Sequence, residues 1–332
     1  MSKVSLVKSN QSYQGTLAVL KPFRADLQKK LQNIPQVVIK INFVNAKKKL
    51  AVSPVTAVKG FIDFIKPFFK GKIIIAEQAS IGNTKKGFLK HGFKDLADHD
   101  SQVEVFDVAF DKAEQITIKY PHGKLNLPLA KIYTCSPFVP HQRKLCGSRS
   151  KMNCGSVFSV RDENQTLKRP RSLDRGVFIV SITRAKTHNA VVVTLGIKNL
   201  LVGAIQGNLD VRGKIHQGMD IHWIMKEIAR YAYPHFVVID GTLGMEGCGP
   251  GSGKPKKANF LAAGFDALAV DSLVTFLMGF DIKDVGYLNL LRQAGFGKLY
   301  PQDKISIIGP NPKKLVVPFK PHPTFKSQRH WR

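Results

Sequence analysis

The sequence predicts an α/β protein with mixed, mostly parallel sheets, flanking helices and two βαβ-type halves around a cleft. Three observations predict it. Strand-sized apolar runs alternate with amphipathic stretches of helical length. The run from Gln36 to Phe43, a helix from Val55 and the run from Lys72 to Glu77 are spaced as a βαβ unit, whose right-handed crossover makes the strands parallel. Polar side chains and glycines gather just after the apolar runs, where open α/β sheets place their ligands.

The elements follow in order. Val4 and Leu6 begin a short apolar alternation, and Pro22 to Leu31 reads as a helix. Gln36 to Phe43 is a buried strand ending in Asn42 and Asn45; Ser53 and Pro54 then open a helix over Val55 to Phe69. The strand ending at Glu77 precedes a helix from Lys86 to His91, and Val103 to Val108 is a third strand. Ile116 to Tyr120 and Leu129 to Thr134 read as strands around a turn at Pro121, His122 and Gly123. From Pro137 to Arg175 the chain is polar, basic and without period, as a long loop would be. Order resumes with strands at Val177 to Ile182 and Ala190 to Leu195, a short helix from Gly196, and an amphipathic helix over Met219 to Tyr231. His235 to Asp240 is the last strong strand, Asn259 to Ala263 an edge strand, and Asp266 to Met278 and Ile282 to Ala294 are helices. Ile305 to Ile308 is a short strand, and the basic, carboxylate-free stretch from Pro310 onward is expected to be extended on the surface. The chain therefore divides into an N-terminal α/β half (1–135), a basic flexible insertion (136–175), a C-terminal α/β half with a glycine-rich loop (176–309) and a basic tail (310–332).

Composition limits the function classes. A chain of 332 residues with 43% apolar residues can build a full core. No apolar stretch reaches membrane-spanning length and none reads as a secretion signal, so a cytoplasmic protein with no membrane partner is expected. Fifty-one Lys and Arg against 23 Asp and Glu give a formal net charge of +28, which reads either as a field that draws in a nucleic acid or a small acidic ligand or as the general background of a lysine-rich surface. Cys135, Cys146, Cys154 and Cys248 contain no Cys-x-x-Cys pair, so no zinc or iron-sulfur motif is present.

A group of motifs carries a resemblance. Ile39 to Asn42 followed by Pro54, the strand ending at Glu77, Arg184-Ala-Lys186-Thr-His188, Thr194 to Leu200 with Lys198 and Asn199, Arg212 with His216, and Val238 to Pro250 with Asp240 and Glu246 stand in one chain. Together they resemble the domain of unknown function 362 family, uncharacterised α/β proteins often associated with iron-sulfur modules. The resemblance implies an α/β fold and an enzyme without naming a reaction. It also implies a redox link and a ferredoxin-like partner protein, although the family's cysteine run is missing here.

The residues themselves suggest the chemistry. Six glycines between Gly241 and Lys254, among them Gly247, Gly249, Gly251 and Gly253, leave backbone N–H groups free to face a phosphate or carboxylate, with Lys254 beside them. This is no phosphate-binding Walker loop, because Pro255 follows Lys254. Lys186, Lys198, Asn199 and Arg212 add cationic and amide donors from other loops, and Asn42 and Glu77 complete the cleft. His188 and His216 are the proton-transfer candidates. Asp240 and Glu246 are expected to orient them, to act as bases, or to hold a divalent metal with a histidine; no spacing dictates a metal, and the cofactor is left unknown. The expected function is an enzyme acting on a small anionic substrate by histidine-mediated proton transfer, of isomerase, lyase or oxidoreductase type. The alternative is a nucleic-acid-binding protein that uses its basic flap and tail.

Overall fold

The computed structural model describes residues 1–134, 176–207, 209–216 and 220–331, with the side chains of 209 and 210 left aside. The basic insertion and Cys135, Cys146 and Cys154 lie outside the described residues. The α/β fold class is the expected one. Twelve strands are described: β1 (Ser2–Lys8), β2 (Gln36–Lys40), β3 (Lys72–Glu77), β4 (Val103–Asp107), β5 (Ala113–Tyr120), β6 (Gly123–Ala130), β7 (Phe178–Thr187), β8 (Val193–Thr194), β9 (Phe236–Glu246), β10 (Lys254–Lys256), β11 (Phe260–Gly264) and β12 (Ile305–Ile308). Ten form one sheet, with the central order β12-β1-β11-β9-β7-β2-β3-β4 and with β8 and β10 paired to β7 and β9; β5 and β6 make a separate hairpin.

From β9 across to β4 the strands run parallel, while β11 lies antiparallel between β1 and β9. Both faces of this central sheet are covered, which is why its strands read as continuous apolar runs. The period-two pleat divides the core. Val37, Ile39, Ile73, Ile75, Val180 and Ile182 face one cluster with the helices Ser12–Leu20 and Val55–Ile65. Val38, Ile74, Ile179, Val237 and Ile239 face the other, with the helices Gly196–Gly203, Ile221–Ile228 and Ala267–Leu277. The chain moves outward from β2 through β3 to β4, then re-enters on the other side of β2 as β7. That reversal leaves a crevice above the carboxyl ends of β2 and β7, the place where ligands bind in such sheets.

Several local expectations are corrected. The first segment is a full strand, β1, inside the sheet, and a helix at Ser12–Leu20 precedes the expected one, which shortens to Arg24–Leu31 behind a 3-10 turn. β11 is interior, because β1 covers the side that was expected to be an edge. Leu129 to Thr134 divides into the end of β6 and a helical turn at Lys131–Thr134. The strand expected over Ala190 to Leu195 shrinks to β8, after Val192 at φ +67°. β9 runs on through Gly241 and Gly244 to Glu246, since β7, β10 and β11 all pair with it; the true loop is therefore Gly247 to Gly253. Pro310 to Trp331 is packed, not merely extended, with a short helix at Phe325–Gln328 whose Gln328 is buried.

Candidate functional site

A cavity of about 520 Å³ lies over the crevice. β2 supplies Lys40 and, just past its end, Asn42; β3 supplies Glu77; His188 follows β7; the helix Gly196–Gly203 supplies Lys198 and Asn199; Arg212 and His216 come from the segment around Leu209–Lys214. Cys248 to Ser252 and His322 complete its wall. Among the described residues Glu77 is the one carboxylate lining it.

The cations are buried and differ in how they are held. The Lys40 Nζ donates to Glu77 Oε2 at 2.8 Å, to the Ile41 carbonyl at 2.6 Å and to Asn199 Oδ1 at 3.3 Å. Glu77 also accepts the Phe43 and Gln78 amides. Gly203 makes room for this lysine, for a Cβ there would sit 2.4 Å from Lys40 Cε. Lys186 lies behind the wall, donating to Asn42 Oδ1 and to the Ala51 carbonyl, and burial holds its amine well below the usual lysine range. Arg212 donates to the carbonyls of Ile205 and Gln78, to the Gln78 side chain and to Ser80, all of them neutral acceptors. Lys198, 6% exposed, has one polar side-chain contact among the described residues, His216 Nε2 at 3.4 Å. Burial, helped by the charges of Arg212 and Lys40, brings its amine down to about 7.

The two histidines are set in opposite tautomers. His216 Nδ1 donates to the Arg212 carbonyl at 2.6 Å, so its Nε2 presents a lone pair. His188 Nδ1 accepts the Ala190 amide at 3.0 Å, so in the neutral ring its Nε2 carries the proton. The rings stack with centroids 5.6 Å apart and 24° between planes. Burial and then the Lys198 charge keep both neutral, pushing His216 down to about 4 and His188 well below its ordinary value. A proton donor and a proton acceptor thus stand side by side in a cationic cavity.

Other predicted residues fall elsewhere. Asp240 is bonded to Ser12 Oγ at 2.5 Å and to the Thr242 amide and hydroxyl, away from the histidines. Its position in β9 puts it on the sheet face of Phe236 and Val238, toward the Ser12–Leu20 helix. Glu246 accepts the Lys320 amide and stands 3.6 Å from Lys256. Neither meets His188 or His216, so the expected carboxylate support and the shared cation site are not formed. Among the described residues no three His, Cys, Asp or Glu side chains are grouped to hold a metal.

The glycine loop contributes less than its composition promises. Gly249 and Gly251 line the cavity, while Gly247, Gly253 and Lys254 do not. The amides of Gly247, Gly249 and Ser252 are already given to the carbonyls of Lys320, Gly247 and Cys248. Gly249 is required for another reason: a Cβ there would stand 2.2 Å from the Thr187 carbonyl oxygen. Lys40 and His322 were missed in the sequence, the first hidden in an apolar strand and the second in the tail. Gln328 brings that tail to the site, donating to the His188 carbonyl and accepting the Val192 amide.

Residues 149–275 match the family model described as Domain of unknown function (DUF362). This stretch of the chain is similar to that family over somewhat more than a third of the length. The matched stretch contains Lys198, Arg212 and both histidines, whereas Lys40, Asn42, Glu77 and His322 reach the cavity from outside it. A thylakoid-associated protein of Synechocystis sp. is 28% identical over 106 residues, which cover 31% of this chain and 33% of that protein. The chain thus matches about a third of the length of that relative. No solved structure matches. Among the described residues no helix is long and apolar enough to cross a membrane.

Proposed function

We propose that the cavity binds a small organic anion, a carboxylate or a phosphate, and that His188 and His216 exchange protons with it in an isomerase- or lyase-type reaction. The observation that supports this reading is the paired tautomers: His216 Nε2 offers a lone pair and the neutral His188 ring an N–H, in one cavity with Lys198 and Arg212. Burying cations without an adjacent carboxylate costs stability, and an anionic ligand offsets that cost. Arg212 offers the anionic group its charge and the one Nη2 N–H left without an acceptor among the described residues, and the neutral histidines offer a lone pair and an N–H side by side.

The test uses His188→Ala and Lys198→Ala with a panel of carboxylic and phosphorylated metabolites. Both variants are expected to keep the wild-type circular dichroism spectrum. Ligand-induced thermal stabilisation should weaken by at least about tenfold in ligand concentration for Lys198→Ala, the loss of one charged hydrogen bond. Turnover of any substrate found should disappear in His188→Ala. Wild-type binding and turnover in both variants would overturn the proposal.

A further inference from the structure

Resting on that reading, we infer that the cavity takes a small 2-oxo acid and that Lys198 condenses with its carbonyl group to form an imine, while the charge of Arg212 and its one N–H uncommitted among the described residues hold its carboxylate. The three lysines of the region differ in their hydrogen bonds. Lys40 has three oxygen acceptors for its three N–H bonds, one of them the Glu77 carboxylate, and is fixed as an ammonium. Lys186 has two oxygen acceptors and does not line the cavity. Lys198 lines the cavity with no oxygen acceptor at all among the described residues, and its one polar contact is the unprotonated nitrogen of His216.

That contact has a direction. The Arg212 carbonyl holds the His216 proton on Nδ1, so Nε2 accepts from Lys198 and is placed to take a proton from it. A desolvated lysine beside other cations is the setting in which an amine acts as a nucleophile, and burial has already brought this amine down to about 7. Lys198 nitrogen adds to the carbonyl carbon, and the carbonyl oxygen takes up a proton to become a hydroxyl. The nitrogen lone pair then forms the C=N bond as the hydroxyl leaves, protonated, as water. Counted from the ammonium, its three hydrogens end as one on the iminium nitrogen and two in the water, with His216 Nε2 carrying the proton in transit. No oxidant or reductant is consumed. The resulting iminium withdraws electrons from the adjacent carbon, which is what a proton-transfer pair needs of its substrate.

The experiment is reductive trapping. Full-length protein is incubated separately with pyruvate, glyoxylate and 2-oxoglutarate, treated with sodium borohydride and mapped by peptide mass spectrometry. The expected result is a reduced adduct on Lys198 with one of these acids, more abundant at about pH 8 than at about pH 6 and lost in Lys198→Arg. Thermal shifts with lactate and inorganic phosphate, which cannot form an imine, are measured in parallel. A shift with either anion but no adduct on Lys198 overturns the nucleophile and leaves the anion site standing. Neither shift nor adduct overturns both. Adducts spread over surface lysines, with none at Lys198, also overturn the inference, and this reading from wild-type protein does not depend on the variant folding.

Discussion

Lys198 Nζ and His216 Nε2 face each other at 3.4 Å, the ammonium against the one nitrogen of that ring left without a proton. Neither has a carboxylate partner among the described residues, so the pair shares a proton whose position depends on what enters the cavity.

Binding of a non-carbonyl anion should therefore take up a proton. Lys198 is half-protonated at about 7 without ligand, and an anion beside it favours the charged form. Affinity for lactate, which stays a carboxylate throughout this range, should be greatest below about pH 7 and fall by up to about tenfold per pH unit above it. Calorimetry in two buffers of different ionisation enthalpy should show this uptake, and a pH-independent affinity would contradict it.

Breaking the Lys40–Glu77 pair should cost more than removing it. Glu77→Gln leaves the fully buried Lys40 ammonium without its counter-charge, a loss of about 3 kcal/mol. Adding Lys40→Met should recover much of that loss in urea unfolding. A single variant as stable as the wild type would contradict the prediction.

Acid should destabilise the fold early. Burial holds His216 and His222 at about 4 and His235 at about 3. Between those values and the unfolded value of about 6.5, the unfolded chain binds more protons, so stability falls as pH falls through that window. His222→Asn, which keeps an acceptor for the Tyr287 amide, should flatten the dependence of the denaturation midpoint on pH. An unchanged slope would count against it.

Gln328→Ala should loosen the site from a distance. It removes the bonds to Val192 N at 2.5 Å and to His188 O at 3.0 Å, costing about 2 kcal/mol. Hydrogen exchange should quicken at the Val192 amide, whose acceptor is lost. Unchanged exchange there would show that other contacts hold this turn.

The central strands were legible because each is an apolar run bounded by turn residues, and such local signals survive whatever the partners are. Lys186, Lys198 and Arg212 could be singled out for the same reason, as cations beside strand ends and glycines. β1 and the helix at Ser12–Leu20 were weak in the sequence, because β1 owes its place to the flanking strands β11 and β12. The glycine loop misled: its composition suggested free amides, but three of them are consumed by nearby carbonyls.

The sequence by itself determined the α/β alternation and the cluster of cations and histidines that follows β7, since both depend on neighbours a few residues apart. Tertiary structure alone decided the membership of the cavity. Strand order brings Lys40 and Glu77 from the first half to Lys198 from the second, the pleat of β9 turns Asp240 away to Ser12, and tail docking through Gln328 brings His322 in. Each depends on contacts between residues far apart in the chain, where no local spacing records the partner.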